Sequence, residues 1–137
     1  MTYKAPRGAC NSCGVPHSQG RLERLLRAGT FTVTAETTPP VSADPSTLLK
    51  ATESLAGLAD AVNVTDGAGA KSHMASLAAA SLLVQVGIEP VLQFTVRDRN
   101  RIALQNDLLG AAALGIPNIL CLTKFISGYL ILVSEIN

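Results

Sequence analysis

Apolar and polar positions along the chain predict short strands that are each followed by a helix. Four runs rich in β-branched and apolar residues are bounded by turn-forming residues, which is typical of strands. They span residues 31–36, 60–66, 90–96 and 118–123. Their centres (Val33, Val62, Val91 and Ile119) are 29, 29 and 28 residues apart. A near-constant interval that holds one strand and one helix indicates a βα repeat.

Capping residues and glycine stops bound the predicted helices between these strands. Asp44 precedes a helix over 45–56, Ser72 precedes one over 73–86, and Asp98 or Asn100 precedes one over 101–114. An earlier amphipathic segment, 19–28, comes before the first strand. We expect it to lie across the amino-terminal ends of the strands.

Strands that are apolar almost throughout, joined by helices, predict a parallel sheet with covered faces. A doubly wound sheet would normally have a glycine fingerprint after its first strand, where this chain has Thr-Thr-Pro-Pro. The regular interval instead favours a TIM (β/α)8 barrel, which usually needs about 250 residues. We therefore predict an α/β fold: a partial TIM barrel of about four parallel βα units plus an N-terminal helix.

The predicted organisation has three parts. Residues 1–18 form a flexible leader, 19–123 the N-terminal half of a (β/α)8 barrel, and 124–137 a divergent tail. Within the tail, residues 129–133 have the composition of a further strand, with no helix before it.

Composition places the chain among single-domain globular proteins. It has 137 residues, 47% hydrophobic and 15% charged, with eleven basic and ten acidic side chains and a formal charge of +1. This balance gives no electrostatic basis for a nucleic-acid or membrane partner. Only 4% of the residues are aromatic, which argues against a surface on which nucleic-acid bases stack. Without an apolar leader segment, we expect a cytoplasmic protein.

Cys10, Cys13 and His17 have the spacing of half a zinc site. A second pair of ligands is missing, because Cys121 falls within the fourth predicted strand. We therefore predict no bound metal. The less favoured alternative is a small metal-binding module built on Cys10, Cys13 and His17.

Polar residues end the apolar strands, and the active site of a barrel lies at this end. They are Glu36, Thr65, Asp66, Thr95, Arg97, Asp98 and Thr123. Glu36 is the most informative, because a carboxylic acid partly withdrawn from water suits general acid catalysis. The alternative is a structural glutamate paired with an arginine.

Two further features have both a functional and a structural interpretation. The loop 66–72 holds two glycines that would let backbone approach a ligand, or would only reverse the chain. Arg97, Arg99 and Arg101 suit either a substrate anion or a solvated helix start held by Asp98. His73, in the first turn of the predicted helix, is expected to cap or pack.

Four strings along residues 31–123 resemble methylenetetrahydrofolate reductases. They are VTAETTPP, ADAVNVTDGAGAKSHMASLAAA, GIEPVLQFTVRDRNRIALQNDLLGAAALGI and NILCLT. The resemblance implies an FAD-dependent (β/α)8 barrel in one-carbon metabolism and methionine biosynthesis. Such enzymes pass a hydride from NAD(P)H to FAD and then to methylenetetrahydrofolate, which gives methyltetrahydrofolate.

The resemblance also implies roles for individual residues. Glu36 matches the general acid that assists opening of the folate's methylene bridge. The positions implied to bind cofactor are Thr65, Asp66, Ala68, Gln93 and Thr123. Some family members have a flavin-contacting histidine at the position of Gln93, and some have arginine at the position of Thr123. Lys124 and Phe125 depart from the family, which has a Gly-Asp pair there.

The folate is the expected substrate, and a second copy of the chain is a candidate partner because half a barrel has two open sheet edges. A non-catalytic fragment, or a flavin- or folate-binding module, is the alternative function.

Overall fold

The computed structural model describes residues 18–122 and the backbone of a strand at 129–132. The helices of this part are α1 (Arg21–Arg27), α2 (Pro45–Thr52), α3 (Ser76–Gln85) and α4 (Arg101–Ala113). The strands are β1 (Thr34–Thr37), β2 (Ala61–Val64), β3 (Pro90–Thr95), β4 (Asn118–Leu122) and β5 (Tyr129–Leu132). Three single 3₁₀ turns lie at Glu53–Leu55, Ala68–Ala70 and Val96–Asp98.

All five strands form one sheet in the order β1-β2-β3-β4-β5. The first four strands are parallel and alternate with helices, so the predicted α/β fold of a partial TIM barrel is confirmed. The further strand predicted in the tail is also confirmed, and it pairs antiparallel with β4. An antiparallel neighbour needs no crossover helix, which fits its position directly after β4.

Helices cover one face of this sheet and form the main core. Along the strands alternate side chains point to this face, among them Val62, Val64, Leu92, Phe94 and Ile119, each nearly inaccessible to solvent. They pack against helix residues of α2, α3 and α4, namely Leu48, Ala79, Ala80, Leu83 and Ala111. The intervening strand residues therefore point to the opposite face, which is called the concave face below.

Helix α1 covers the amino-terminal end of the concave face, as predicted. Leu22 packs there against Ala61 and Val91. Arg21 forms an ion pair with Asp60, just before β2, at 2.7 Å. Together these contacts leave only the carboxyl-terminal part of the concave face open.

The Glu89 carboxylate attaches α1 to the sheet. It accepts hydrogen bonds from the backbone N–H groups of Arg21 and Leu22, at 2.5 and 2.9 Å, and from the Asn118 side chain at 2.9 Å. These two N–H groups are in the first turn of α1, where a helix has no internal acceptor for them. Gly20 allows this approach, because a Cβ atom there would lie 2.7 Å from Glu89 Oε1.

Two of the predicted helix starts are confirmed and one is wrong. Asp44 accepts a hydrogen bond from the Ser46 N–H before α2, and Asn100 accepts one from the Ala103 N–H before α4. Ser72 is not the cap of α3, which begins at Ser76 after Ala75. Met74 N–H donates to Pro40 O at 2.8 Å, and this contact with the loop after β1 holds residues before Ser76 outside the helix.

The ends of the helices lie closer to their predicted positions than the start of α3 does. Gly87, at φ +78°, ends α3 in the left-handed region as its position predicted. Helix α2 ends at Thr52 instead of residue 56, and the 3₁₀ turn Glu53–Leu55 continues the segment. Over the residues that the structure describes, no helix has the length and apolar character needed to cross a bilayer.

Replacing Glu89 with alanine should destabilise the protein by about 1–3 kcal/mol, because the α1 N–H groups lose their acceptor and the Asn118 amide loses one of its two. Urea unfolding followed by circular dichroism measures this change in the free energy of unfolding. Glu53→Ala, at an exposed position, is the matched control and should change it much less. Equal effects of the two substitutions would contradict the attachment of α1 through Glu89.

Candidate functional site

The residues predicted at the strand ends lie toward the carboxyl-terminal side of the sheet, in two groups with separate contacts. Glu36 of β1 is aligned with Asn63 of β2. Gln93 of β3 lies on the same concave face, because its side chain contacts Glu36. Thr65 and Asp66 directly follow β2, and Ala68 lies in the turn after them. Thr123 lies outside the described residues.

Glu36 and Gln93 form the polar centre of the concave face. Gln93 Nε2 donates a hydrogen bond to Glu36 Oε2 at 3.1 Å. Glu36 is exposed, because β1 lies at the edge of the described sheet, so the expectation of a carboxyl group partly withdrawn from water is wrong. Gln93 is half-buried. Over residues 18–122, no arginine pairs with Glu36, so the alternative of an arginine-paired structural glutamate is not found there.

Asp66 joins the end of β2 to the end of β3. Its Oδ2 accepts hydrogen bonds from the Thr95 N–H at 2.9 Å and from Arg99 Nη1 at 2.5 Å, and its backbone carbonyl accepts one from the Thr95 hydroxyl at 3.2 Å. Arg99 also pairs with Asp107 of α4 at 2.9 Å and lies over the Phe94 ring, 4.9 Å from the ring centre. This cluster of Asp66, Thr95, Arg99 and Asp107 is called the Asp66 clamp below.

Burial and hydrogen bonding act in opposite directions on the Asp66 carboxyl group. Partial burial acts to raise its pKa, but the hydrogen bonds from Arg99 and from the Thr95 N–H, with the guanidinium charge, outweigh burial. The pKa of Asp66 is therefore below its ordinary value of 3.8. The side chains of Asp66 and Arg99 are only 11% and 18% exposed, so solvent screens their ion pair little.

The arginine cluster divides into a structural member and an exposed one. Arg99 is held by the Asp66 clamp, whereas Arg97 pairs with Asp98 at the surface, at 2.6 Å. Asp98 therefore holds Arg97, as predicted for one member of the cluster. The role of Asp107 was not predicted, because it lies eight residues beyond Arg99, on a different element.

The glycine loop after Asp66 leaves backbone donors free. Gly67 and Gly69 have φ of +62° and +63°, and a Cβ atom at either position would meet no neighbour within 4 Å. In the described part of the chain, the N–H groups of Gly67, Ala68 and Gly69 have no intramolecular hydrogen-bond partner. Gly67 also lines a cleft with Asp66, Thr95, Asp98 and Arg99.

His73 supports this loop instead of lying in a helix as predicted. Its Nδ1 is 2.8 Å from Pro39 O and its Nε2 is 3.2 Å from Ala68 O. One ring nitrogen of a neutral imidazole donates, and a protonated ring donates from both. Thr65 makes a further connection, with its hydroxyl donating to the Thr38 hydroxyl at 3.2 Å.

Cysteine and metal chemistry contribute little to the described site. Among residues 18–122, no group of three or more histidine, cysteine or acidic side chains has a metal-binding arrangement. Cys10, Cys13 and His17 lie outside the residues that the structure describes. Cys121 lies in β4, as predicted, and burial raises the pKa of its thiol.

The residues present fit a planar cofactor with N–H and C=O groups along its edge, such as a flavin. The Gln93 amide can both donate and accept, and the free N–H groups of the glycine loop can donate. Space around Gly67 and Gly69 is open, so a ring system can approach the backbone. The Asp66 carboxylate is already engaged by the clamp, so its role here is to hold the loop.

Comparison with known proteins agrees with this geometry. The family model described as methylenetetrahydrofolate reductase matches residues 21–124, which include α1, the four parallel strands and the helices between them. No curated protein matches the chain.

Replacing Asp66 with asparagine should lower the free energy of unfolding at pH 7 by about 2 kcal/mol, because a charge-assisted hydrogen bond to Arg99 is lost. Chemical unfolding at a series of pH values measures the effect. The lowered pKa of Asp66 means that the carboxylate contributes its full stabilisation above pH 3.8 and loses it as the pH falls through the folded-state value. The difference between wild type and variant should therefore shrink in acid.

Asp98→Asn is the matched control, because it removes an exposed carboxylate that pairs with Arg97. We expect a smaller change in unfolding free energy from this control. A difference between wild type and Asp66→Asn that stays constant below pH 3.8 would show that ionisation of Asp66 does not contribute to stability.

Proposed function

Since this chain belongs to the methylenetetrahydrofolate reductase family, we propose that it binds FAD on its concave face and takes part in reducing methylenetetrahydrofolate with NAD(P)H. The product would be methyltetrahydrofolate. The coarser assignment, an oxidoreductase of one-carbon metabolism, follows from the family itself.

One observation supports this proposal most directly: the Glu36–Gln93 pair lies on a concave face that α1 covers only at the other end. Protein side chains fill the amino-terminal part of this face. The carboxyl-terminal part presents a carboxyl group and an amide, and the glycine loop with its free N–H groups follows β2 at the same end of the sheet. In parallel barrels this end of the strands is where ligands bind and react.

Glu36 is proposed as the proton donor. Opening the methylene bridge of the folate breaks a carbon–nitrogen bond, and the nitrogen that leaves must gain a proton. A carboxylic acid within hydrogen-bonding distance of that nitrogen can supply it. FAD, when bound and already reduced by hydride from NAD(P)H, would supply the hydride that the methylene carbon receives.

The residues proposed to hold the flavin lie on β3 and in the segment that follows β2. Gln93 and the Ala68 N–H would bond its edge, Thr65 would lie beside it, and Asp66 would keep the loop in position. Thr123, the residue directly after β4, is proposed as a further contact.

The substrate, the cellular location and the partner of the chain are also proposed. A folate is the proposed substrate, and the proposed location is the cytoplasm. A second copy of this chain is a proposed partner, because β1 is an edge strand of the sheet formed by the described residues.

A non-catalytic flavin- or folate-binding module is the second candidate. The direction of β5 favours it: an antiparallel strand lies beside β4, where a further parallel strand would continue a barrel. Such a module would bind ligand without transferring hydride.

Titration of the purified 137-residue chain with FAD should give saturable binding, followed by the absorbance and fluorescence of the flavin. Addition of NADH or NADPH without oxygen should then bleach the bound flavin, and addition of methylenetetrahydrofolate should restore its colour. Binding without bleaching would indicate the binding module. A folded chain that binds neither FAD nor folate would contradict both functions.

Glu36→Gln should slow reoxidation of the reduced flavin by methylenetetrahydrofolate at least about 100-fold, because the proton donor is lost. Reduction of the flavin by NAD(P)H should be nearly unchanged, since that step needs no proton from Glu36. Stopped-flow measurement of the two half-reactions separates them, with Glu53→Gln as an exposed control. An equal loss in both half-reactions would point to a structural role for Glu36.

A further inference from the structure

We propose that Gln93 is the positioning residue for the Glu36 carboxyl group, which its amide can hold in both protonation states. This inference rests on the proposed function, in which Glu36 gives up a proton and must regain one. It assigns to Gln93 a role through Glu36, in addition to any contact with a cofactor.

The geometry makes Glu36 dependent on Gln93. In the described part of the chain, the bond from Gln93 Nε2 at 3.1 Å is the one hydrogen bond found at the Glu36 carboxylate. The two residues lie on β1 and β3, with β2 between them. Neighbouring strands are about 4.8 Å apart, so both side chains must lean across β2 to meet.

The two ends of this contact differ in how firmly they are held. Gln93 lies in β3, which is paired on both sides, and its backbone is aligned with Leu120 of β4. Glu36 lies in β1, at the edge of the sheet, with an exposed side chain. A half-buried residue of an inner strand therefore orients an exposed residue of the edge strand.

The amide group suits a partner whose protonation changes. An ionised carboxylate only accepts hydrogen bonds, and Gln93 Nε2 donates to it. A protonated carboxyl group also donates, and Gln93 Oε1 can accept that bond after the amide turns over. An arginine or lysine in this place could only donate. The glutamine thus offers a bond to Glu36 before and after proton transfer.

The first test needs no cofactor. In the full chain labelled with ¹⁵N, the Gln93 side-chain amide resonances should move by several linewidths in Glu36→Ala, because the acceptor is removed. Glu53→Ala, which removes an exposed glutamate outside this contact, should leave them in place. Unchanged backbone resonances elsewhere would establish that both variants fold. If Glu36→Ala moves the Gln93 amide no more than Glu53→Ala does, the proposal is wrong.

The second test is a double-mutant cycle on the reoxidation of reduced flavin by methylenetetrahydrofolate. Gln93→Leu should slow this step about tenfold in the wild-type background and have no further effect in Glu36→Gln. Gln93→His, which keeps a donor and an acceptor, should recover most of the rate. Flavin binding and flavin reduction by NAD(P)H are measured on the same samples, because Gln93 is also proposed to contact the flavin.

The outcomes separate this inference from the proposed function. Equal losses from Gln93→Leu in both backgrounds, together with weaker flavin binding, would make Gln93 a cofactor contact alone and would overturn its positioning role. A chain that binds no flavin would contradict the proposed function, and the amide resonances would then decide the role of Gln93.

Discussion

The alternation of side chains along four parallel strands is the constraint on which the rest of this structure depends. Because successive residues point to opposite faces, each strand supplies the helix-covered core and the concave face at once. Val62 and Val64 belong to the core, while Asn63 between them faces the other way. A shift of one residue in register would bury Asn63 and expose the valines, so core packing also determines which residues can reach a ligand.

The two carboxyl groups at the site have partners of different charge. Asp66 is neutralised by Arg99 inside a half-buried cluster, and the lowered pKa keeps it ionised. Glu36 has an uncharged partner on an open face. A carboxylate held by a buried cation is suited to fixing structure, because losing its charge would leave that cation unpaired. The ion pair thus stabilises the loop, and the amide-bonded acid, Glu36, is the carboxyl group that we propose for chemistry.

Local sequence signals predicted the repeating elements well and the connections between them less well. The βα interval, the Asp44 and Asn100 caps and the glycine at the end of α3 depend on neighbouring residues, and all are confirmed. Ser72 is also a good local cap, but hydrogen bonds from Met74 and His73 to the loop after β1 delay the start of α3. Those contacts join residues more than thirty positions apart, which local patterns do not report.

The same distinction explains what was found at the site. Glu36, Asp66 and Gln93 were predicted because strand ends and family motifs identify positions one at a time. The contacts between these residues and their partners were not predicted, because they join distant positions. Gln93 is 57 positions from Glu36 in the sequence, and Arg99 is 33 positions from Asp66. These pairs meet because of the register in which the strands are paired. The chemistry therefore depends on sheet register as much as on the residues themselves, and substitutions that loosen β3 should disturb both pairs at once.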